Sequence, residues 1–519
     1  TETVGKKGST FSEYSVSIDG VVSKKGSKLK EDDIAGLETA YNADLNQDGN
    51  VGEISESAVV KYSQKISFGE FDNIEIPEGK KGTYDAYSEH TPNLSGLFFA
   101  ERSNGSWIYF ENGESIDVLS LPTWFYTEPF LPAVHFKIDS NNNLILHEIY
   151  PDINVGMARN WASIKVQGQQ KYVIADTGHE FSEIDYQNWI FGDVWIAELN
   201  SLGEFEVIPI STVNAFYHDV EVGDLNRDGL DDILAVNMGF KDGADPYELH
   251  AFMQNSSGGF DQDIGFMSFA KGHPMLGGAA VALANIDSDP EVEIIQSAYS
   301  VRDFPGWDMN NLFRVWDMNS GGKFELVFSG PRSGKAESLG SSNIYARDLD
   351  LDGDNDLIFN MEVGSAVSDF SGEATNRAAK GIQVWENNGN FQFFNATDEW
   401  LSSSTWLNSE MGGPSLAVED LNGDSYPDIF IDRSGNSYFE DYDQLNIGSM
   451  IFLNRAGESF QHLADVSELT VTVDGGPQTV ANLRLAKVDN DHFDVMLVNN
   501  DQTFGMVEIL HSDLNSWVA

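Results

Sequence analysis

Four stretches of this chain place side-chain oxygens at the same offsets. They are DLNRDGLDD at 224, NIDSDPEVE at 285, DLDLDGDND at 348 and DLNGDSYPD at 420, and a shortened KVDNDHFD follows at 487. In the first copy Asp224, Asn226 and Asp228 alternate, Gly229 permits a sharp turn, and Asp232 closes the set. Carboxylates, an amide oxygen, the carbonyl of Leu230 and a water make up the oxygen-only, flexible shell that calcium takes; magnesium tolerates such an all-protein cage poorly. By the same offsets the third copy offers Asp348, Asp350, Asp352 and Asp356 with the carbonyl of Asp354. The fourth offers Asp420, Asn422, Asp424 and Asp428 with the carbonyl of Tyr426. In the second, Asn285, Asp287, Asp289 and Glu293 keep an oxygen at each position, although Pro290 replaces the glycine. The shortened copy has Lys487 at the first position and lacks one residue, so it is expected to be metal-free.

One acidic turn is only a soluble loop, but solubility imposes no offsets. The five starts lie 61, 63, 72 and 67 residues apart, and a spacing that regular marks a repeat architecture. Each copy sits between strand-like segments: HDVEVG (218–223), AAVALA (279–284) or PSLAVE (414–419) before it, and ILAV (233–236), LIF (357–359), IFI (429–431) or VMLV (495–498) after it. A second strand pair follows around a glycine- and asparagine-bearing turn, in LFRVWDMNSGGKFELVF (312–328), GIQVWENNGNFQFF (381–394) and SMIFLNRAGESFQHL (449–463). Each unit is thus predicted to be a four-stranded antiparallel sheet. Such sheets repeated at a fixed period predict an all-β propeller, whose radial packing protects the edges. Weaker units at 162–208 and around 97–113 precede the clear ones. Spread over residues 85–519, the spacing predicts seven blades.

The strand–DxDxDGxxD–strand units resemble the FG-GAP or VCBS repeats of the propeller in integrin α-subunits and many secreted bacterial proteins. The resemblance covers roughly residues 130–519. It implies a calcium ion clamped in the loop between the first two strands of a blade. It does not choose among adhesion modules, carbohydrate binders and polysaccharide lyases.

Residues 1–80 read differently. KLKEDDIAGLETAYNADLNQDGNVGE sets Ile34, Leu37 and Tyr41 at helical spacing and then Asp44, Asn46, Asp48 and Asn50. That resembles an EF-hand or dockerin calcium loop, with Ser55 at the twelfth position and Glu53 standing in for the usual glutamate. GKKGT (79–83) reads as a linker into the propeller.

Composition narrows the function. Asp and Glu number 83 against 30 Lys and Arg, for a net charge of −53. That repels nucleic acid and anionic membrane and favours cations. With no cysteine, disulfides, thiolate metal sites and cysteine nucleophiles are excluded. No apolar run is long enough to span a bilayer as a helix. The chain opens TETVGKKGST and is expected to be a piece of a longer secreted protein. It has no GxSxG, HExxH, Walker loop or dinucleotide fingerprint, and no convergent acid–base set. His218 and His250 fall in predicted strands and read as structural.

The acidic loops join first and second strands, so the second-to-third connections, 238–248, 300–311, 363–381 and 433–448, should emerge on the opposite rim with the longer blade-to-blade links. Those segments carry Arg302, Trp307, Arg377 and Trp406, with Arg332, Lys335, Trp400 and Tyr438. Tryptophan beside arginine suits a sugar ring or an anionic glycan. The expectation is an extracellular or cell-surface calcium-binding adhesion or recognition module. Its partner would be a glycan or a surface protein. A polysaccharide lyase acting on uronates and a surface-array subunit are the alternatives.

Overall fold

The computed structural model describes residues 155–179, 190–237, 248–298 apart from 288 and 290, 308, 310–331, 341–361, 382–401, 415–432 and 450–463, with strands and a few neighbouring residues of 2–153 and 470–510. It is a β-propeller of four-stranded antiparallel blades. Blade 1 is built from Ala158–Val166, Gln169–Asp176, Val194–Leu199 and Phe205–Pro209. Blade 2 comprises Tyr217–Gly223, Asp232–Asn237, Leu249–Gln254 and Phe260–Asp263. Blade 3 comprises Gly278–Ala284, Glu293–Ala298, Asn311–Met318 and Phe324–Pro331. Blade 4 comprises Ser341–Arg347, Asp356–Met361, Ile382–Asn387 and Phe393–Asn395. Blade 5 comprises Ser415–Glu419, Asp428–Asp432, Met450–Asn454 and Phe460–Leu463.

The expected count of seven is corrected to five. Five meanders with described packing follow one another from Ala158 to Leu463. The length from which seven was reckoned also serves other purposes. Gly178–His179 and Ile190–Phe191 pair as a ribbon inserted in blade 1, and Thr470–Val473 pairs with Gly476–Thr479 beyond blade 5. Two further four-stranded sheets flank the series. The sheet of Trp107–Asn112, Ser115–Ser120, Ala133–Ile138 and Leu144–Tyr150 packs Leu119, Leu121 and Ala133 against Ile174 and Trp195 of blade 1. The sheet of Asn482–Val488, His492–Val498 and Thr503–Leu510 takes its fourth strand from Ile66–Ser67, far back in the chain.

The core is a row of seams between blades. Leu234, Val236 and Ala251 of blade 2 meet Val281, Ile294 and Trp316 of blade 3. Ile295 and Val315 of blade 3 meet Ile344, Phe359 and Trp385 of blade 4, and Ile358 and Val384 meet Leu416, Ile429 and Phe452 of blade 5. A strand between two seams is covered on both faces. Asp232–Asn237 and Glu293–Ala298 are accordingly buried at every position, so neither alternates between buried and exposed residues. Near the first strands, buried carboxylates tie blades together. Asp219 accepts the N–H of Val281 at 2.9 Å and the amide of Asn160. Glu248 accepts from the backbone of Leu276, Gly277 and Gly278 and from the Gln296 amide.

Because strands alternate in direction, every first-to-second loop lies on one rim and every second-to-third connection on the other. The acidic nonapeptides occupy the first rim in blades 2 to 5.

Candidate metal sites on the acidic rim

The four loops fold alike because their sequences spend polar groups on the same hydrogen bonds. In each, the N–H of position five donates to the side-chain oxygen of position three: Asp228 to Asn226 at 2.9 Å, Asp289 to Asp287 at 3.1 Å, Asp352 to Asp350 at 3.2 Å and Asp424 to Asn422 at 3.0 Å. The N–H of position seven donates to position five, from Leu230, Glu291, Asp354 and Tyr426, all at 2.9 Å. In three copies position one also takes the N–H of position five, at 3.1 Å to Asp224, Asp348 and Asp420. Positive φ falls at positions four and six: Arg227 and Gly229, Leu351 and Gly353, Gly423 and Ser425. The glycine thus sits at either left-handed site, and the fourth copy uses the other one.

Two positions point inward. Position two, Leu225, Ile286, Leu349 or Leu421, is buried in the seams. Position nine is buried too, and it departs from the expectation of an open ligand. Asp232 accepts from Leu225 N at 3.0 Å and Gln254 N at 2.8 Å. Asp356 accepts from Leu349 N at 3.1 Å and Asn387 N at 2.8 Å, and Asp428 from Leu421 N at 2.9 Å and Asn454 N at 2.8 Å. These carboxylates pin the loop to the third strand. Burial pushes the carboxyl of Asp232 up to about 6, that of Asp356 to about 7 and that of Asp428 to about 8, against the lowering effect of those N–H donors.

Blade 3 differs. Glu293 accepts from Ile286 N through Oε2 at 2.5 Å, while its buried Oε1 has no hydrogen-bond partner. Burial, then the charges of Asp287, Asp317 and Asp289, push its carboxyl up to about 8. The amide of Asn285 donates to the carbonyl of Asp289.

The donor set is oxygen only. Carboxylate oxygens of Asp287, Asp289 and Glu293 lie within 4.8 Å of one another, as do those of Asp348, Asp350 and Asp352. Both groups could hold a hard metal ion. The loops at Asp224 and Asp420 share the backbone but put an amide, Asn226 or Asn422, at position three. Asp44, Asn46, Asp48, Asn50 and Glu53 lie outside the described residues, as do Arg302, Trp307, Arg377 and Trp406. Trp400, also read as a loop aromatic, is buried and donates its indole N–H to Glu386 at 3.3 Å. Lys487 lies within a strand, paired with Asp494, and not at a loop position. His218 and His250 are buried in blade 2, His250 hydrogen-bonded to the Tyr217 hydroxyl at 3.0 Å.

Residues outside the nonapeptides complete the rim. Gln254, Asn387 and Asn454, each ending a third strand, reach back to the preceding blade. Gln254 donates to Lys165 O at 3.1 Å, Asn387 to Ile286 O at 2.9 Å, and Asn454 to Leu349 O at 2.7 Å. The latter two acceptors are position two of the neighbouring acidic loop. The equivalent in blade 3 is Met318, whose carbonyl takes the Arg227 guanidinium at 3.3 Å; the same Arg227 pairs with Glu291 at 3.0 Å. The sequence signal for these staples is an Asn or Gln just before each hairpin turn.

No protein-family model and no curated protein sequence matches the chain. Among solved structures, it is similar at 14% identity and a TM-score of 0.41 to a lectin from Agrocybe aegerita that recognises non-reducing terminal N-acetylglucosamine, over 76% of this chain and 92% of that one. An ancestral GH74 enzyme aligns at 10% identity and a TM-score of 0.41, over 79% of this chain and 48% of its own. An exo-β-1,3-galactanase from Clostridium thermocellum aligns at 10% identity and a TM-score of 0.30, over 79% and 83%.

Proposed function

We propose that this protein is a calcium-stabilised recognition module of the FG-GAP or VCBS kind, acting outside the cell and holding a glycan on the rim opposite its acidic loops. The observation that carries the reading is the common fold of the four nonapeptides, with positions one, three and five of every loop on the same rim. A shell of this composition suits calcium. Millimolar calcium outside cells suits sites of extracellular affinity. On this reading residues 1–80 add one more calcium loop at Asp44, and residues 85–519 carry the five-bladed propeller together with its flanking sheets.

Calcium would act as a clamp. The loops of blades 3 and 4 carry the carbonyls that the next blade's staple grasps, so an ion that orders either loop would also order the seam beside it. The glycan would lie against Arg302, Trp307, Arg377 and Trp406, which the sequence puts in connections of the other rim. Isothermal titration of calcium into chelator-stripped protein, followed by glycan arrays with and without calcium, tests both halves. Calcium heat with several equivalents, and glycan binding lost when the four residues are replaced together, is the expected result. Absence of calcium binding overturns the clamp. Release of unsaturated products from uronate polymers would replace the recognition reading with lyase chemistry.

A further inference from the structure

One position outside every nonapeptide differs in kind among the four blades. In blade 3 the second and third strands pair Ile295 with Val315 and Ile294 with Trp316, so the next rung sets Asp317 opposite Glu293. Cβ atoms of such a pair stand about 4.5–5.5 Å apart. The same rung is Met253 opposite Asp232 in blade 2, Glu386 opposite Asp356 in blade 4 and Leu453 opposite Asp428 in blade 5. This rung faces the ligand positions, for the Met253 sulfur lies 3.8 Å from the amide nitrogen of Asn226, position three of its loop. It is acidic in blades 3 and 4 and apolar in blades 2 and 5. Blades 3 and 4 are also the two with a carboxylate at position three, and in them three loop carboxylates gather within 4.8 Å.

Blade 3 adds an independent sign of a missing ligand. Glu293 is fully buried, and its Oε1 has no hydrogen-bond partner; the buried Oδ1 of Asp317 has none either. In the other three blades both oxygens of position nine are taken by backbone N–H groups. Two buried carboxylate oxygens without donors, beside Asp287 and Asp289, are costly unless a cation neutralises them. Glu386 in blade 4 is partly engaged by the Trp400 indole.

We propose that blade 3 holds a calcium-sized divalent cation in a site of its own construction, formed by Asp287, Asp289 and Glu293 with Asp317 from the third strand, and that this is the tightest site on the rim. The inference rests on the calcium reading above. Four carboxylates, two with oxygens that no N–H competes for, raise affinity through ligand charge and rigidity.

Calcium chloride titrated into the full, chelator-stripped chain gives the test, with terbium emission excited through the neighbouring Trp316 as a local readout. The wild-type chain should bind one equivalent at least about tenfold more tightly than the rest. Asp317→Asn should abolish that tight equivalent and the early terbium signal, leave the remaining equivalents in place, and melt in chelator no lower than wild type, since it removes a buried repulsion. Met253→Asp should convert the Asp224 loop to tight binding, and it decides the matter if Asp317→Asn fails to fold. Unchanged first-equivalent affinity in Asp317→Asn, or no tightening in Met253→Asp, overturns the proposal while leaving the calcium reading intact. No calcium binding by the wild-type chain overturns both.

Discussion

Replacing Asn387 with alanine should loosen two blades at once. The side chain is 1% exposed and sits at the end of the third strand of blade 4. Its amide donates to Ile286 O of blade 3 at 2.9 Å and to Asn355 O at 3.3 Å, and its oxygen accepts from Gly389 N at 3.1 Å. Each such bond contributes about 0.5–1.5 kcal/mol, and a buried acceptor left bare costs about 1–3 kcal/mol. The 3.3 Å bond is the weakest of the three, so the loss comes to about 3 kcal/mol. For a cooperative unit of about 300 residues, with an unfolding entropy of about 2.1 cal/mol/K per residue, that lowers Tm by about 5 °C. The group is neutral, so the effect should be the same at pH 6 and pH 8. Ile286 is position two of the blade 3 loop, and its release should also weaken calcium binding there. Urea unfolding with and without calcium measures both, with exposed Asn388→Ala as the control, expected within about 0.5 kcal/mol of wild type. If Asn387→Ala matches that control, or leaves calcium affinity untouched, the staple does not couple the blades.

Two further outcomes follow from the division of labour within each loop. Asp352 is exposed and accepts the N–H of Asp354, so Asp352→Ala should stay within about 0.5 kcal/mol of wild type in chelator. At calcium 100-fold above Kd it should forfeit about 2.7 kcal/mol of ligand-derived stability; equal loss in both conditions would show that position five is structural. The second concerns pH in the metal-free protein. Burial pushes the carboxyl of Asp219 up to about 7; burial, then the Asp219 charge, pushes that of Glu221 to about 8, with Arg347 opposing. Folded-state values above the unfolded ones mean that the folded chain binds more protons, so these groups destabilise it as pH rises through 7 and 8. The Tm in chelator should fall from pH 6 to pH 9, and Glu221→Gln should flatten the fall; a parallel slope in that variant would place the titrating groups elsewhere.

The acidic loops were legible in the sequence because their repeated oxygen-bearing side chains lie within nine residues. Their strand flanks and the hairpins after them were legible for the same reason. What escaped depends on pairing across variable insertions. The rung that carries Met253, Asp317, Glu386 and Leu453 comes 21, 24, 30 and 25 residues after position nine, so no fixed offset reveals it. Position nine itself looks like one more ligand in a string of aspartates. Only the fold shows that one of its oxygens is taken by position two of its own loop and the other by the backbone of Gln254, Asn387 or Asn454 on the third strand. The blade count failed for a related reason. A period gives the number of units only if insertions are shared evenly, and here a ribbon, a hairpin and two flanking sheets absorb part of the chain.

The staples also explain why blade 3 stands apart. Where Asn387 and Asn454 end the third strand, a neutral amide closes the seam to the preceding loop, and position nine has a backbone N–H to hold. Blade 3 has Met318 there, which offers no side-chain amide. Its seam to blade 2 is closed from the other side by Arg227, a charge-assisted link to Met318 O and Glu291. Such a partly exposed pair is weak and screened by salt, whereas the amide staples are not. On this rim, therefore, the seam that lacks an amide staple lies beside the loop whose buried carboxylate oxygen has no partner. A cation bound by Glu293 and Asp317 would join the second and third strands of blade 3, supplying through charge the fixation that its neighbours obtain from an amide.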